Sequence, residues 1–268
     1  MRELLNTAIK ASIEAGKSIL SIYHMSAIDV TYKDDRTPLT LADRASHNII
    51  AGELLDTKIP LLSEEDSRAH DYSERHQWNR CWIVDPLDGT KEFIKRNGEF
   101  TVNIALCEKG KPVLGVIYTP VQDVLHFAAE GMGAFRIDKA STLGSEEEIF
   151  SASEKLPLQS LPSVFTIVGS RSHASPETEA YVEEQKKMHG NVDFVAAGSS
   201  LKFCLVAEGK AHVYPRFAPT MEWDTAAGQV IIEQAGGKMV EWPSKDPIRY
   251  NREQLRNTWF LCEATPQK

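Results

Sequence analysis

Cysteine is scarce and unpaired in this sequence of 268 residues: Cys81, Cys107, Cys204 and Cys262 lie far apart, and none belongs to a C-x-x-C pair. That spacing argues against a disulfide framework and against the common zinc arrangements, and it fits reduced thiols in an intracellular protein. Long apolar runs are also lacking. None approaches the roughly 18 residues needed to span a membrane. Glu3 and Glu14 interrupt the N-terminal stretch where a signal peptide needs an apolar centre, so the expected location is the cytoplasm. Excess positive charge is missing too. Lys and Arg number 30 against 38 Asp and Glu, a net charge of -8, which argues against a nucleic-acid partner. A phosphorylated ligand would be repelled by such a chain unless bound metal ions or a local basic cluster supplied the attraction. Internal repeats and low-complexity segments are absent.

The length suits one large domain or two modest ones and is enough to bury a sizeable core. Leu4, Leu5, Ala8, Ile9, Ile13, Ile19, Leu20 and Tyr23 recur at helical spacing, predicting an amphipathic helix over 3–24. Thr40 opens a second helix with Leu41, Ala45, Ile49 and Leu55 on one side. Residues 66–79 read as a polar loop. The apolar run 81–84 has strand length and stops at Asp85-Pro86. Strand-like runs at 101–106, 113–118, 124–128 and 134–137, punctuated by Gly and Pro, predict an antiparallel meander. The polar stretch 138–162 marks a boundary between a domain over 1–150 and a second over 151–268. Beyond it, strands (164–168, 194–196, 211–214) alternate with helices (176–188, 201–207, and 224–235 stopped by Gly236-Gly237), predicting an α/β second domain.

Four carboxylate-bearing segments stand out. Asp85-Pro86-Leu87-Asp88-Gly89-Thr90 places two aspartates three apart at the end of a buried strand. Pro86 breaks the ladder, Gly89 permits an unusual φ, and Thr90 opens a short helix over 90–94. Ser63-Glu64-Glu65-Asp66 follows a short apolar run. Trp223-Asp224-Thr225-Ala226-Ala227 starts a helix. Thr40-Leu41-Ala42-Asp43 resembles an imperfect capping box. Taken singly, each has a structural explanation: Asp88 and Asp224 as helix caps, 63–66 as a solvated acidic loop, Asp43 as a partner of Thr40. Asp85 is the exception, because an unpaired carboxylate beside a buried strand is costly unless a cation relieves it. Oxygen donors without nearby His or Cys suit Mg²⁺ or Mn²⁺. Taken together, the segments offer what a two-metal phosphatase site needs.

D-P-L-D-G-T, with the acidic Glu64-Glu65 before it and W-D-T-A-A far downstream, resembles the inositol monophosphatase superfamily along essentially the whole chain. Lys91-Glu92-Phe93, the segment 198–204 (GSSLKFC) and Tyr214-Pro215-Arg216-Phe217 are similar to its 3'(2'),5'-bisphosphate nucleotidase branch, especially the bacterial members. The resemblance implies a layered α-β-α-β-α fold (α+β) with two or three Mg²⁺ ions. Their ligands would be Glu64, Asp85, Asp88, Asp224 and the Leu87 carbonyl. Glu64 and Thr90 would orient the attacking, metal-activated water, and Asp43 would hydrogen-bond Thr90. Backbone N–H groups around Gly89 and Thr90 would hold the scissile phosphate, and Glu65 would support the site from behind. Lys202 and Arg216 would receive the remaining phosphate. His173 and Ser199 would contact nucleoside or sugar. The implied reaction releases phosphate from adenosine 3',5'-bisphosphate to leave AMP, clearing a by-product of sulfate activation, with 3'-phosphoadenylyl sulfate as a second substrate and with lithium sensitivity. Peripheral attachment to the inner face of a membrane, associated with relatives, finds neither support nor contradiction in the composition.

Three other readings compete. An inositol or sugar phosphatase would use the same metals, but Lys91-Glu92 and the segment 199–204 argue against it. A two-metal exonuclease would need a basic and aromatic groove. A silent binding module would show a degraded site, whereas Asp43, Glu64, Asp85, Asp88, Thr90 and Asp224 are all present.

Overall fold

The computed structural model describes residues 1–25, 30–32, 38–67, 70–170 and 175–265. In chain order, α1 (Arg2–Tyr23) leads to a ribbon of β1 (Val30–Tyr32) and β2 (Pro38–Thr40). Then come α2 (Leu41–Leu54), β3 (Leu61–Ser63), α3 (Tyr72–Arg75), β4 (Arg80–Asp88) and α4 (Thr90–Ile94). A meander follows: β5 (Thr101–Glu108), β6 (Lys111–Thr119), β7 (Val124–Ala129) and β8 (Gly133–Asp138). The remainder is α5 (Glu146–Ala152), β9 (Glu154–Lys155), β10 (Phe165–Gly169), α6 (Pro176–His189), β11 (Val192–Ala196), α7 (Leu201–Ala207), β12 (Val213–Arg216), α8 (Glu222–Gln234), β13 (Lys238–Glu241) and β14 (Phe260–Glu263).

Two sheets organise these elements. A seven-stranded sheet runs in the order β3-β4-β5-β6-β7-β8-β9, parallel only between β3 and β4. A five-stranded mixed sheet runs β11-β10-β12-β14-β13. Both faces of the large sheet are buried, and period-two alternation divides its side chains between two cores. Trp82, Val84, Val102, Ile104 and Leu106 pack with α1 and α2; Cys81, Ile83, Ala105 and Cys107 pack with α7 and α8. The small sheet covers α7 and α8 from the other side, and Tyr181 of α6 closes a third core over Ile167, Val213 and Leu261. The layers therefore alternate α-β-α-β-α. Among the described residues no helix is long and apolar enough to cross a membrane.

A track of small residues seats α8. Ala105, Gly115, Ala128 and Ala134 lie side by side across β5 to β8. A Cβ on Gly115 would sit 2.4 Å from the Ala227 carbonyl oxygen, so the helix backbone rests directly on the sheet.

The structure departs from the sequence reading in four places. β4 does not end at Asp85-Pro86 but continues to Asp88; the register slips between Asp85 (opposite Asn103) and Asp88 (opposite Thr101), and the slip accommodates Pro86, which has no N–H to give. The buried face of α2 carries Ala42, Asp43, Ser46, Ile50 and Leu54, while Leu41 and Leu55 are exposed. The predicted face was turned by one residue because two polar side chains point inward: Ser46 Oγ donates to the Pro86 carbonyl at 2.6 Å, and Asp43 faces Thr90. The stretch 66–79 contains the single-turn helix α3. The polar stretch 138–162 holds α5, capped reciprocally by Ser145 and Glu148, and β9, which extends the large sheet beside β8.

Candidate active site

The carboxyl end of β4 meets the start of α8 at a cleft of about 420 Å³. Asp85, Asp88 and Asp224 each present an oxygen there, and these atoms all lie within 4.8 Å of one another. Glu64, in the 3-10 turn Glu64–Asp66 after β3, lines the same cleft, as do Leu87, Gly89, Thr90, Ser199, Lys202 and Arg216. Asp43 lies behind it, buried, reaching the site through Thr90. His173 falls outside the described residues.

Local sequence explains each placement. The Leu87 N–H donates to Asp85 Oδ1 at 3.0 Å, fixing the aspartate inside the register slip. Gly89 turns the chain with φ +90°; a side chain there would be strained and would press on the Glu99 carbonyl at 3.2 Å. The turn delivers Thr90 as the first residue of α4, and its hydroxyl donates to Asp43 Oδ1 at 3.2 Å. The other Asp43 oxygen accepts from the Thr40 N–H at 2.7 Å and the Thr40 hydroxyl at 2.6 Å. The capping role and the contact with Thr90 thus coexist in one carboxylate. Asp224 likewise accepts from the Met221 N–H at 2.8 Å at the start of α8.

Electrostatics make this arrangement costly without a counter-charge. Burial, then the neighbouring charges of Glu64, Asp88 and Asp224, hold Asp85 well above the usual carboxylate range. Burial and the charge of Asp88 push Asp224 up to about 8. The donor set is all oxygen and anionic, and a hard divalent cation relieves the repulsion and the desolvation together. The residues present therefore fit such an ion, with Asp85, Asp88 and Asp224 able to hold it.

Two buried or half-buried cations line the same cleft. Lys202 is 5% exposed, its ammonium donating to the Ser199 carbonyl and lying 5.4 Å from the Tyr214 ring centre. Burial lowers its pKa to about 8. Arg216 donates through Nη2 to the Pro219 carbonyl at 3.2 Å, and its Nε is buried without a hydrogen-bond partner. Ser170 and Arg216 also line an adjoining pocket of about 410 Å³ whose walls include Val182, Phe194, Pro215 and Phe217.

Sequence reasoning missed a polar group behind Asp88. Asp88 Oδ2 accepts from Ser199 at 2.7 Å, from Ser200 at 2.9 Å and from Asn103 Nδ2 at 3.4 Å. Thr101 joins at 2.6 Å from Ser199 Oγ. The signal was available: Thr101 and Asn103 are polar residues on the same face of a fully buried strand, where polar atoms need partners.

Comparison with known proteins follows the same lines. The fold is that of the inositol monophosphatases: a crystal structure of CysQ from Bacteroides thetaiotaomicron, described as a bacterial member of the inositol monophosphatase family, superposes with a TM-score of 0.92 at 50% identity, covering 100% of this chain and 99% of that one. The extragenic suppressor protein suhB of Bartonella henselae gives 0.75 at 26% identity, covering 98% and 94%. The family model for the inositol monophosphatases matches residues 1–266, and the chain belongs to that family. The 3'(2'),5'-bisphosphate nucleotidase CysQ of Escherichia coli is 44% identical over 261 residues, 96% of this chain and 98% of that one.

Proposed function

We propose that this chain is a Mg²⁺-dependent phosphatase that removes the 3'(2')-phosphate of adenosine 3'(2'),5'-bisphosphate, leaving AMP and phosphate. The observation that carries the reading is that one cleft holds both a carboxylate cluster and two cationic side chains. Asp85, Asp88 and Asp224 gather in it, and the buried Lys202 and half-buried Arg216 line it as well. A monophosphate would engage one of these groups, whereas a molecule with two separated phosphates would engage both. The adjoining pocket, with its apolar walls, offers a place for a nucleobase. The name borne by the Escherichia coli relative, over nearly the full length of both chains, supports the same substrate class.

Bound divalent ions would supply a positive field for the phosphoryl oxygens and lower the pKa of water nearby. Asp85, Asp88, Asp224, Glu64 and the Leu87 carbonyl would hold them. Glu64 and the Thr90 hydroxyl orient the attacking water, Asp43 fixes the Thr90 hydroxyl, and the N–H groups at Gly89 and Thr90 bind the scissile phosphate. Lys202 and Arg216 bind the phosphate that does not react, and Ser199 contacts the nucleoside or sugar. We infer further that 3'-phosphoadenylyl sulfate is a second substrate, that the enzyme serves sulfate assimilation, and that lithium inhibits it.

The test is phosphate release with Mg²⁺ from adenosine 3',5'-bisphosphate, its 2',5' isomer, inositol 1-phosphate, fructose 1,6-bisphosphate and AMP. The two bisphosphate nucleotides are expected to give the highest kcat/KM. A preference for inositol 1-phosphate or the sugar bisphosphate would overturn the reading.

A further inference from the structure

The loop that carries Lys202 is wired to Asp88. Its start is anchored where the Gly198 N–H donates to Glu99 Oε2 at 2.9 Å. Ser199 then takes φ +49°, a conformation unusual for a residue with a side chain. The reward for that backbone is visible: the Ser199 hydroxyl lands on Asp88 Oδ2 at 2.7 Å, and its carbonyl accepts from the Lys202 ammonium. Ser200 reaches both acidic partners, lying 2.9 Å from Asp88 Oδ2 and 3.1 Å from the Asp224 carbonyl, and it accepts from Asn103 Nδ2 at 2.9 Å. One Asp88 oxygen is thereby held from behind. The same two-serine turn sets both the orientation of Asp88 and the position of the ammonium.

We propose that Ser199 and Ser200 are positioning residues that couple Lys202 to the carboxylate cluster, so that a phosphate group taken up at Lys202 tightens cation binding at Asp88. The inference rests on the function proposed above. When an anion draws the Lys202 ammonium, the Ser199 carbonyl loses or reorients its bond to that ammonium, and the turn moves as one piece because Glu99 pins its start. Both hydroxyls on Asp88 sit on that piece. Linkage requires the reverse effect as well, the cation tightening the nucleotide.

The probes are Mn²⁺, followed by electron paramagnetic resonance, and AMP, the expected product, which keeps the 5'-phosphate and lacks the 3'-phosphate. In the wild type, saturating AMP is expected to tighten Mn²⁺ binding by roughly tenfold, within the usual range for coupled sites. In Ser199→Gly, which relieves the backbone strain while removing the hydroxyl, and in Ser200→Ala, the coupling falls below about threefold, with the affinity for each probe alone measured beside it. Ser200→Thr, which keeps a hydroxyl, restores it. Wild-type coupling in both variants, or no coupling in a wild type that binds AMP, overturns the proposal. Failure of AMP to bind the wild type at all overturns the function on which it rests.

Discussion

The Thr90 hydroxyl donates to Asp43 Oδ1 while Asp43 Oδ2 caps α2 through the N–H and hydroxyl of Thr40. One buried carboxylate therefore serves a helix end and a group on the cleft wall. The two roles separate by mutation. Thr90→Val removes only the cleft contact and is expected to lower kcat by about a hundredfold with little change in Tm, since a hydrogen bond to a charged group is worth about 1.5–3 kcal/mol. Asp43→Ala removes both and should add about 1 kcal/mol of destabilisation from the lost cap. Steady-state kinetics beside thermal melts distinguish them; a Thr90→Val enzyme with unchanged kcat would remove Thr90 from the chemistry.

The carboxylate cluster is expected to destabilise the cation-free protein at neutral pH. Asp224 ionises near 3.8 when unfolded but is pushed up to about 8 in the fold, and Asp85 shifts the same way. Folding then takes up protons, so the cluster's own contribution to the stability of the cation-free protein is greatest below pH about 4 and is lost as pH rises toward about 8. Asp85→Asn relieves one member of the repulsion. It should raise the Tm of the chelator-treated protein by several degrees, about 2–4 °C for each kcal/mol, and flatten that pH slope, while abolishing the rise in Tm that Mg²⁺ gives the wild type. Melts in EDTA and in Mg²⁺ across pH provide the check. A lower Tm for Asp85→Asn in EDTA would show that the cluster carries no stored repulsion.

Much of this was legible in the sequence because the relevant signals are local. The apolar, strand-length runs of β5 to β8 with their Gly and Pro punctuation and the 3.6-residue period of α1 are local signals, and the D-P-L-D-G-T segment compresses strand end, turn and helix start into six residues. What escaped depends on partners far along the chain. The α2 face was misjudged because Asp43 and Ser46 look like solvent-facing residues until Thr90 and the Pro86 carbonyl are brought to them. Asn103 stands out as a polar residue in an apolar strand, but its partner Ser200 is met only across the gap between β5 and α7. The continuation of β4 through Pro86 required the register slip, which no single-strand pattern reveals.

Lys202 offers a pH signature. Burial lowers its pKa from 10.5 to about 8, so the cation that would meet a second phosphate disappears as pH rises through that value. For adenosine 3',5'-bisphosphate, kcat/KM should fall above pH about 8, chiefly through KM. Lys202→Met should lower kcat/KM below that pH and remove the descending limb, whereas hydrolysis of a monoester lacking the second phosphate should be nearly indifferent to the substitution. Parallel pH profiles measure this, and an unchanged descending limb in Lys202→Met would assign the titration to another group.

The seat of α8 connects packing to the cluster. Asp85 and Asp88 arrive on β4, but Asp224 arrives on α8, whose height above the sheet is set by Gly115 beneath the Ala227 carbonyl. Gly115→Val inserts branched carbon where even a Cβ would approach to 2.4 Å, so the helix must lift or tilt. Overpacking of this kind costs about 1–3 kcal/mol. Because the carboxylate oxygens span no more than 4.8 Å, a lift of about 1 Å is a large fraction of the site, and misplacement on that scale costs about a hundredfold in rate. Gly115→Val is therefore expected to weaken cation binding and turnover even though it lies outside the cleft. Gly52→Ala is the matched control: nothing lies within 4 Å of its Cβ position, and a helical alanine there should leave activity unchanged and stabilise α2 by about 0.5–1 kcal/mol. Wild-type Mg²⁺ affinity in a folded Gly115→Val protein would show that the position of α8 does not govern the cluster.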